Sequence, residues 1–504
     1  MKVILAGTNI DADVLQDLLA GAPPRSDATP ETLSAAYARI SRHPEPVDEL
    51  RRQARAEVEK ARLSNQAIIF KMGHHSVAEH AVFNFDILGV SRLAIEEVEH
   101  FRLCSFTEKS QRYIKLEDDF VLPQEIRHAG MSELFVKTVR AQNAFYLSLY
   151  DRLKPHFFDK HRDLAAHPRN RAILEGWAKE DARYTVSLAT EGQLGMTINA
   201  RNLELLIRRF AASDLDEIRT LNRALFALAK SIAPSILLFT EACAHDALTY
   251  RELEKEAGRL FRRSEEKKGK AAREKGSPVR IVQAPRDGDV RVLAALLHRV
   301  SGRPYADCLK KALKAPVAEK KKLLKTAWRH MEFYDFPQRE FEFADLAFEL
   351  VVSAACFAQI KRHRMATLTV QPYNPGLGVT VPPSFVEVGA DKEFLEIVDR
   401  TNDVFARLRK KTGRAAEYVL TNAHRRRAML KANARELYHI SRLREDATAQ
   451  WDIRAVAGRM SELACRAMPL TFLLLGGKDA YPLLYKKVFG RFPKLSPPTF
   501  WQGE

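Results

Sequence analysis

The chain contains 504 residues with a net charge of +17, and this length exceeds one ordinary hydrophobic core, which predicts about two or three domains. No run of 18 apolar residues is present, which excludes a membrane-spanning helix. The five cysteines form no CxxC pair, which argues against a disulfide framework or a zinc site and favours the reducing cytoplasm. The charge is compatible with nucleic-acid binding, but the basic runs at 262–275 and 320–325 lack interleaved aromatic residues, which favours a solvated surface with pockets for anionic substrates.

The first elements in chain order are an apolar strand and a helix. Residues 1–9 have the sequence MKVILAGTN, which predicts a strand, and the acidic residues that follow do not fit a signal peptide. Residues 29–42 predict a helix, which ends in the segment RISRHP at 39–44. A similar segment, RVSGRP, lies at 299–304. This second occurrence suggests an internal duplication.

Three histidines lie close together in the segment GHHSVAEH at 73–80. Histidines at this density are compatible with a metal site. Metal ligands, however, usually face one another at i and i+4 on a helix or in a defined turn. The glycine that opens the segment favours a loop whose polar groups bind a ligand.

Two later segments align with each other without a gap. A predicted helix at 89–99 leads into HFRLCSFTEKSQRY at 100–113, and a predicted helix at 350–361 leads into RHRMATLTVQPYN at 362–374. The first copy keeps a Ser-x-Arg at its end. In an extended segment residues i and i+2 point the same way, so both side chains of this Ser-x-Arg can face one anionic group. By itself, the spacing fits polar surface residues on a strand better.

Together, these segments resemble the motifs of the flavin-dependent thymidylate synthases. The family is marked by Arg-His-Arg followed at fixed spacing by Ser-x-Arg, and this chain divides that pattern between its two copies. GHHSVAEH is similar to the family's GHxSxxEH, and EDARY at 180–184 and NAR at 199–201 follow in the first half. In the second half, NAREL at 433–437 and RLREDATAQWDIR at 442–454 resemble the family's NARxL and LR…AQWEI segments.

The resemblance implies an α+β fold, with two tandem copies of a sheet flanked by helices. The expected division is a first domain at 1–261, a charged linker at 262–278 and a second domain at 279–504. The implied reaction is the reductive methylation of dUMP to dTMP in the cytoplasm, with FAD as cofactor and NADPH and methylenetetrahydrofolate as co-substrates. No enzyme nucleophile is required, and Cys104 and Cys356 are predicted to pack in apolar surroundings.

The resemblance also implies roles for individual residues. Arg444 corresponds to the catalytic arginine that stabilises the ionised N3 of dUMP. No metal ligand is expected. The residues that correspond to substrate-binding positions are Glu108, Ser110, Arg112, Arg183, Gln359 and Arg362. Those that correspond to cofactor-binding positions are Ser41, His74, Ser76, Glu79, Arg362, His363, Arg364, Asn433, Arg435 and His439.

The two copies depart from the family pattern at complementary places. The first has His100 and Phe101 where the family has Arg-His, whereas the second has Pro372, Asn374 and Glu417 at phosphate-binding positions. This predicts one composite site between the repeats, and a homodimer that resembles the family's tetramer. Two alternatives remain: altered chemistry on a pyrimidine nucleotide, or a non-catalytic protein that binds flavin or nucleic acid.

Overall fold

The computed structural model describes residues 1–23, 25–265 and 277–497. It contains helices and two four-stranded antiparallel sheets, which confirms the predicted α+β class. The sheets have the corresponding strand orders β1-β2-β4-β3 and β5-β6-β8-β7. The strands are β1 (Lys2–Thr8), β2 (Val82–Ser91), β3 (Cys104–Glu108), β4 (Glu191–Asn199), β5 (Val279–Gln283), β6 (Asp345–Ser353), β7 (Thr367–Val370) and β8 (Arg425–Asn433).

Helices surround each sheet, and none of the helices in the described ranges is both long and apolar enough to span a membrane. Those with the first sheet are α1 (Ala12–Leu19), α2 (Glu31–Arg39), α3 (Val47–Ala56), α4 (Val58–Asn65), α5 (Arg92–Val98), α6 (Gln124–His128), α7 (Ser132–Lys160), α8 (Arg162–Ala166), α9 (Pro168–Ala182), α10 (Ala200–Ala211), α11 (Asp216–Ile232) and α12 (Ala244–Glu265). The helices of the second half are α13 (Gly288–Ser301), α14 (Tyr305–Lys314), α15 (Val317–Trp328), α16 (Ala354–Ile360), α17 (Pro383–Glu387), α18 (Asp391–Thr412), α19 (Ala434–Arg444), α20 (Trp451–Ala467) and α21 (Tyr481–Phe489).

Each sheet has its own hydrophobic core, and further apolar contacts join the two halves. In β2, Phe83, Phe85 and Ile87 alternate with more exposed residues and are fully buried, as expected for a strand with one face on a core. A separate cluster contains Tyr146 from the first half and Phe394 from the second. The boundary between the halves is therefore part of the packed interior.

Residues at corresponding positions of the two halves meet at this boundary. Ser187 and Thr421 form an antiparallel bridge. On one side of it the amide of Leu188 donates to the carbonyl of Leu420 at 2.7 Å, and on the other the amide of Asn422 donates to the carbonyl of Val186 at 3.0 Å. These backbone hydrogen bonds join the two halves directly.

Several predicted boundaries need correction. The helix predicted at 89–99 begins at Arg92, because β2 continues to pair with β4 as far as Ser91. The helix predicted at 350–361 begins at Ala354 for the same reason, since β6 pairs with β8 as far as Ser353. Of the predicted linker, 262–265 complete α12, and 266–276 lie outside the described residues.

The extended conformation predicted around Ser110 and Arg112 is wrong. β3 ends at Glu108. The chain then turns, with the amide of Tyr113 donating to the carbonyl of Ser110 at 3.3 Å. The Ser110 hydroxyl accepts from the amide of Arg112 at 3.2 Å, a local hydrogen bond that favours a turn over a strand.

Candidate active site between the two halves

A cavity of about 260 Å³ lies between the two halves, and we call it the central cavity. Its lining includes Arg444 and all six residues predicted to bind the substrate. From the first half come Glu108, Ser110, Arg112 and Arg183, and from the second half Gln359, Arg362 and Arg444. The structure therefore brings the two incomplete motif copies together within a single chain.

In the first half, the turn after β3 and the end of α9 position the side chains. The Arg112 Nε donates to the Glu180 carboxylate at 2.7 Å, and its Nη2 donates to the carbonyl of Thr448 at 3.2 Å. Glu180 lies near the end of α9, and Arg183 follows directly after this helix. These contacts hold the turn against both α9 and the second half.

In the second half, α16 and α19 position the remaining groups. Ser353 caps α16 by accepting from the amide of Cys356 at 3.0 Å. Gln359 lies in the last turn of this helix. Arg362 follows in the next turn and forms an ion pair with Glu108 of the first half. Arg444 ends α19, and its Nε donates to the Nε2 of His363 at 2.9 Å.

Positive charge dominates the central cavity. Six cationic side chains line it, against the two carboxylates of Glu108 and Glu191. Burial lowers the pKa of Arg183, and burial together with the nearby Arg362 and Arg112 lowers the pKa of Arg444 to about 10. A cavity lined by several arginines and few carboxylates attracts anions, and arginine binds phosphate particularly strongly.

Burial alone would raise the pKa of Glu108, but Lys361, Arg92 and Arg362 outweigh it and lower this pKa. The carboxylate is therefore ionised and orients Arg362.

A more open groove of about 590 Å³ adjoins this cavity, and Arg362 lines both. It contains four residues that were predicted to bind a cofactor: Glu79, Arg362, Arg364 and His439. Arg102 and Glu436 also contribute to its lining. Its volume falls within the range of pockets that bind cofactors and other small molecules.

The other predicted cofactor residues line neither space. Ser41, His74 and Ser76 are exposed on the first half. Asn433 caps α19 by accepting from the amide of Glu436 at 2.8 Å, and Arg435 donates to the carbonyl of Pro337 at 2.8 Å. Within one chain, the structure does not bring these five residues to the groove.

His363 lies beneath the central cavity and accepts a hydrogen bond from Arg444. It is 5% exposed, and burial together with Arg444 lowers its pKa to about 3. The imidazole is therefore neutral, with Nε2 as an acceptor. His363 does not line the groove, but its ring centre lies 5.6 Å from that of His439, which does. Its predicted contact with the cofactor stays a prediction.

Cys104 and Cys356 are both buried in hydrophobic cores. Burial raises the pKa of Cys104 to about 12 and also raises the pKa of Cys356. Neither thiol is ionised near neutral pH, which fits packing residues.

Where the second half aligns with the cavity-lining part of the first half, side chains pack against one another. Arg426 stands where the first half has Gly192, which lines the cavity. Its guanidinium lies 4.3 Å from the ring centre of Tyr373 and 4.8 Å from that of Phe357, and it forms a buried ion pair with Glu96. The protein's own cation and aromatic rings occupy this space.

Two residues at the central cavity escaped the motif comparison. Arg92 lines the cavity, and Ala354 holds the corresponding position in the second half. Gln450 lies beneath it and accepts from Arg183. The difference between Arg92 and Ala354 at aligned positions of the two copies was the signal that could have identified Arg92. Gln450 lies within the AQWDIR segment, but the segment by itself gives this glutamine no role.

Comparisons with known proteins show which family the chain resembles in sequence. A family model described as thymidylate synthase complementing protein matches residues 25–235 and 281–470. A flavin-dependent thymidylate synthase of Geobacter sulfurreducens is 29% identical over 240 residues, which cover 46% of this chain and 94% of that protein. One from Clostridium tetani is 27% identical over 214 residues, 42% of this chain and 82% of that protein. A UPF0159 protein of Chlamydia muridarum is 24% identical over 431 residues, 80% of this chain and 79% of that protein.

Proposed function

Because the chain belongs to the thymidylate synthase complementing protein family, we propose that it is a flavin-dependent thymidylate synthase built from two copies of the family fold. The first copy runs from residue 1 to the end of α12 at Glu265, and the second begins with β5 at Val279. The enzyme methylates dUMP to dTMP in the central cavity, with methylenetetrahydrofolate as carbon donor and NADPH as reductant of the flavin. One composite site per chain performs the reaction.

The observation that carries this proposal is the excess of cations in a cavity built from both halves. A nucleotide monophosphate carries nearly two negative charges, and arginine pairs with phosphate oxygens through two parallel hydrogen bonds. Arg112, Arg183 and the hydroxyl of Ser110 bind the phosphate. Gln359 and Arg362 bind the base at the other side of the cavity.

Arg444 promotes the chemistry at the base. With a pKa of about 10 it is charged near neutral pH. A positive charge beside the pyrimidine stabilises negative charge on N3 and thereby makes C5 a better nucleophile. His363 accepts from the Arg444 Nε and fixes the direction in which the guanidinium points.

The adjoining groove fits a flavin nucleotide such as FAD. The guanidiniums of Arg102 and Arg364 suit phosphate or ring carbonyl oxygens. Glu436 Oε1 is buried and makes no hydrogen bond among the described residues, and its neighbour His363 Nδ1 is 3.7 Å away, so the oxygen can accept from a ligand N–H. When bound, the flavin supplies the reducing equivalents of the methylation.

The proposed stoichiometry is one nucleotide per chain. Arg426 and Glu96 occupy the corresponding position on the other side, and Glu417 there would repel a phosphate. A homodimer of this chain is the counterpart of the family's tetramer. The exposed Ser41, His74 and Ser76 and the distant Asn433 and Arg435 are assigned to cofactor contacts that involve a second chain.

The experiment is tritium release from 5-tritiated dUMP in the presence of FAD, NADPH and methylenetetrahydrofolate. We expect folate-dependent release in the wild type and its loss, by at least about a hundredfold, in Arg112→Ala and Arg444→Ala. Arg400→Ala is a matched control, because this arginine is exposed on α18 and forms an ion pair with the equally exposed Glu396 one turn away. Full activity in either site variant, or no release from protein that has bound FAD, would contradict the proposal.

A further inference from the structure

Gln450 lies at the base of the central cavity and contacts both halves. It is 2% exposed. Its Oε1 accepts from the Arg183 Nη2 at 3.1 Å and from the Gln359 Nε2 at 2.8 Å. Arg183 belongs to the first half and Gln359 to the second, and both line the cavity. One amide oxygen therefore links the proposed phosphate contact to the proposed base contact.

The orientation of the Gln450 amide follows from its partners. Arg183 can only donate, so the group facing it is the oxygen. The Gln450 Nε2 then donates to the Tyr184 hydroxyl at 2.8 Å, and that hydroxyl donates to the Asp452 carboxylate at 2.8 Å. Each group in this chain of hydrogen bonds has a defined role as donor or acceptor.

This orientation determines what Gln359 offers to a ligand. Because its Nε2 donates to Gln450, its Oε1 remains as an acceptor. That oxygen is buried and has no partner within the described residues. A donor on a bound ligand would satisfy it, as buried polar atoms require.

The other half of the molecule provides an internal comparison. There the same supporting contacts recur: the Tyr418 hydroxyl and the Ser91 hydroxyl each donate to Glu217 at 2.7 Å, as Tyr184 and Ser353 do to Asp452. Gln450 directly precedes α20, and the residue that directly precedes α11 is Leu215. The hydrogen bonds from a tyrosine and a serine to a buried carboxylate therefore occur in both halves. The glutamine occurs only at the position next to the central cavity.

From this we infer that Gln450 is a positioning residue, which holds Arg183 and Gln359 in the arrangement that binds the nucleotide. The inference rests on the proposed function, because it assigns these two groups to the phosphate and the base of dUMP. The contacts common to both halves stabilise the fold, and Gln450 adds the link that the substrate needs.

The test is Gln450→Leu, which introduces the residue type found at Leu215. The variant removes the shared acceptor from Arg183 and Gln359. We expect KM for dUMP to rise by about tenfold to a hundredfold, while kcat at saturating dUMP falls by less than about threefold because Arg444 is untouched. Tyr418→Phe is the matched control, since it removes a hydroxyl from the corresponding contacts away from the cavity. It should lower Tm and leave KM for dUMP unchanged.

A crystal structure of Gln450→Leu distinguishes a failure of the positioning role from a failure of the proposed function. Displacement of the Arg183 and Gln359 side chains supports the positioning role, even if the wild type turns over no dUMP and the proposed function fails. Unchanged side-chain positions, or a KM within twofold of the wild type, would overturn the inference and leave the proposed function standing.

Discussion

At the scale of single residues, Arg444 and His363 form a pair in which only the arginine is charged. The imidazole Nε2 accepts the hydrogen bond, so its proton lies on Nδ1. Burial together with the neighbouring arginine lowers the pKa of His363 to about 3, and it stays an acceptor at neutral pH. The proposed catalytic cation therefore keeps a fixed orientation over the pH range in which enzymes are usually assayed.

Asp181 is a second buried residue whose charge state depends on its surroundings. It accepts from the Ser384 hydroxyl at 2.6 Å and from the Trp451 indole N–H at 2.7 Å. Burial raises the pKa of this carboxyl to about 7, above its ordinary value of 3.8. The neutral acid is thus the favoured form in the folded protein. The stability that this preference contributes is present below about pH 4 and is lost as the pH rises to about 7.

Asp181→Asn should remove this pH dependence. An asparagine oxygen can accept from Trp451 while its amide donates to Ser384. Between pH 5 and pH 8 the stability of the variant relative to wild type should increase by about 2–3 kcal/mol. Scanning calorimetry at the two pH values measures it. Asp159→Asn is the control, because Asp159 is 75% exposed. An equal difference between Asp181→Asn and wild type at both pH values would contradict the assignment.

At the scale of elements, α16 is fixed at both of its ends. Ser353 caps its first turn and also donates to the buried Asp452 carboxylate at 2.7 Å. At the other end, Gln359 donates to Gln450, and Lys361 forms a buried ion pair with Glu99 of the first half at 2.7 Å. The helix is therefore held in a defined position relative to the opposite half, which is what two ligand-binding groups at its end require.

Ser353→Ala should loosen α16 and weaken substrate binding together. The loss of a helix cap and of a hydrogen bond to a carboxylate destabilises the fold by about 1–3 kcal/mol. Because Gln359 and Arg362 lie at the far end of this helix, KM for dUMP should rise by at least about threefold. Thermal unfolding and steady-state kinetics measure the two effects.

The control for this variant is Asp11→Ala, which removes the cap of α1 together with the ion pairs of Asp11 with Arg51 and Arg55. Asp11 accepts from the amide of Asp13 at 3.0 Å, and α1 lines neither the central cavity nor the groove. It should lower stability without changing KM. A Ser353→Ala enzyme with lower stability and unaltered KM would show that α16 does not position the substrate.

At the scale of the whole molecule, the central cavity is built from residues far apart in one chain. Arg112 and Thr448, which contact each other at its edge, are 336 positions apart. The apolar clusters that cross between the halves hold these distant segments together. The cavity therefore needs both halves, and one chain supplies both.

Arg112→Ala and Arg444→Ala should not complement each other. Co-expression of the two variants with different affinity tags, followed by purification through both tags, selects mixed oligomers. If each site is built within one chain, every site in such an oligomer lacks one arginine, and dUMP turnover stays at the background of the single variants. Recovery of activity in the mixed preparation would show that the site is shared between chains.

The sequence by itself determined which chemical groups are available and at what spacing. The resemblance to the flavin-dependent thymidylate synthases, with each copy retaining motif residues that the other lacks, predicted one composite site. Its predicted members were Glu108, Ser110, Arg112, Arg183, Gln359, Arg362, His363, Arg364 and Arg444. The structure places all of these except His363 and Arg364 on one cavity. The α+β class and the first strand also followed from motif resemblance and from local apolar patterning.

Only the tertiary structure decided how these groups are held. The turn at Ser110–Arg112, the position of His363 beneath Arg444, the role of Gln450 and the filling of the opposite position by Arg426 were not evident from the motifs. Each depends on contacts between segments distant in sequence, such as those of Gln450 with Arg183 and of Arg426 with Glu96, 267 and 330 positions apart. Motif spacing records local chemistry, whereas burial and hydrogen-bond partners are set when the two halves pack together.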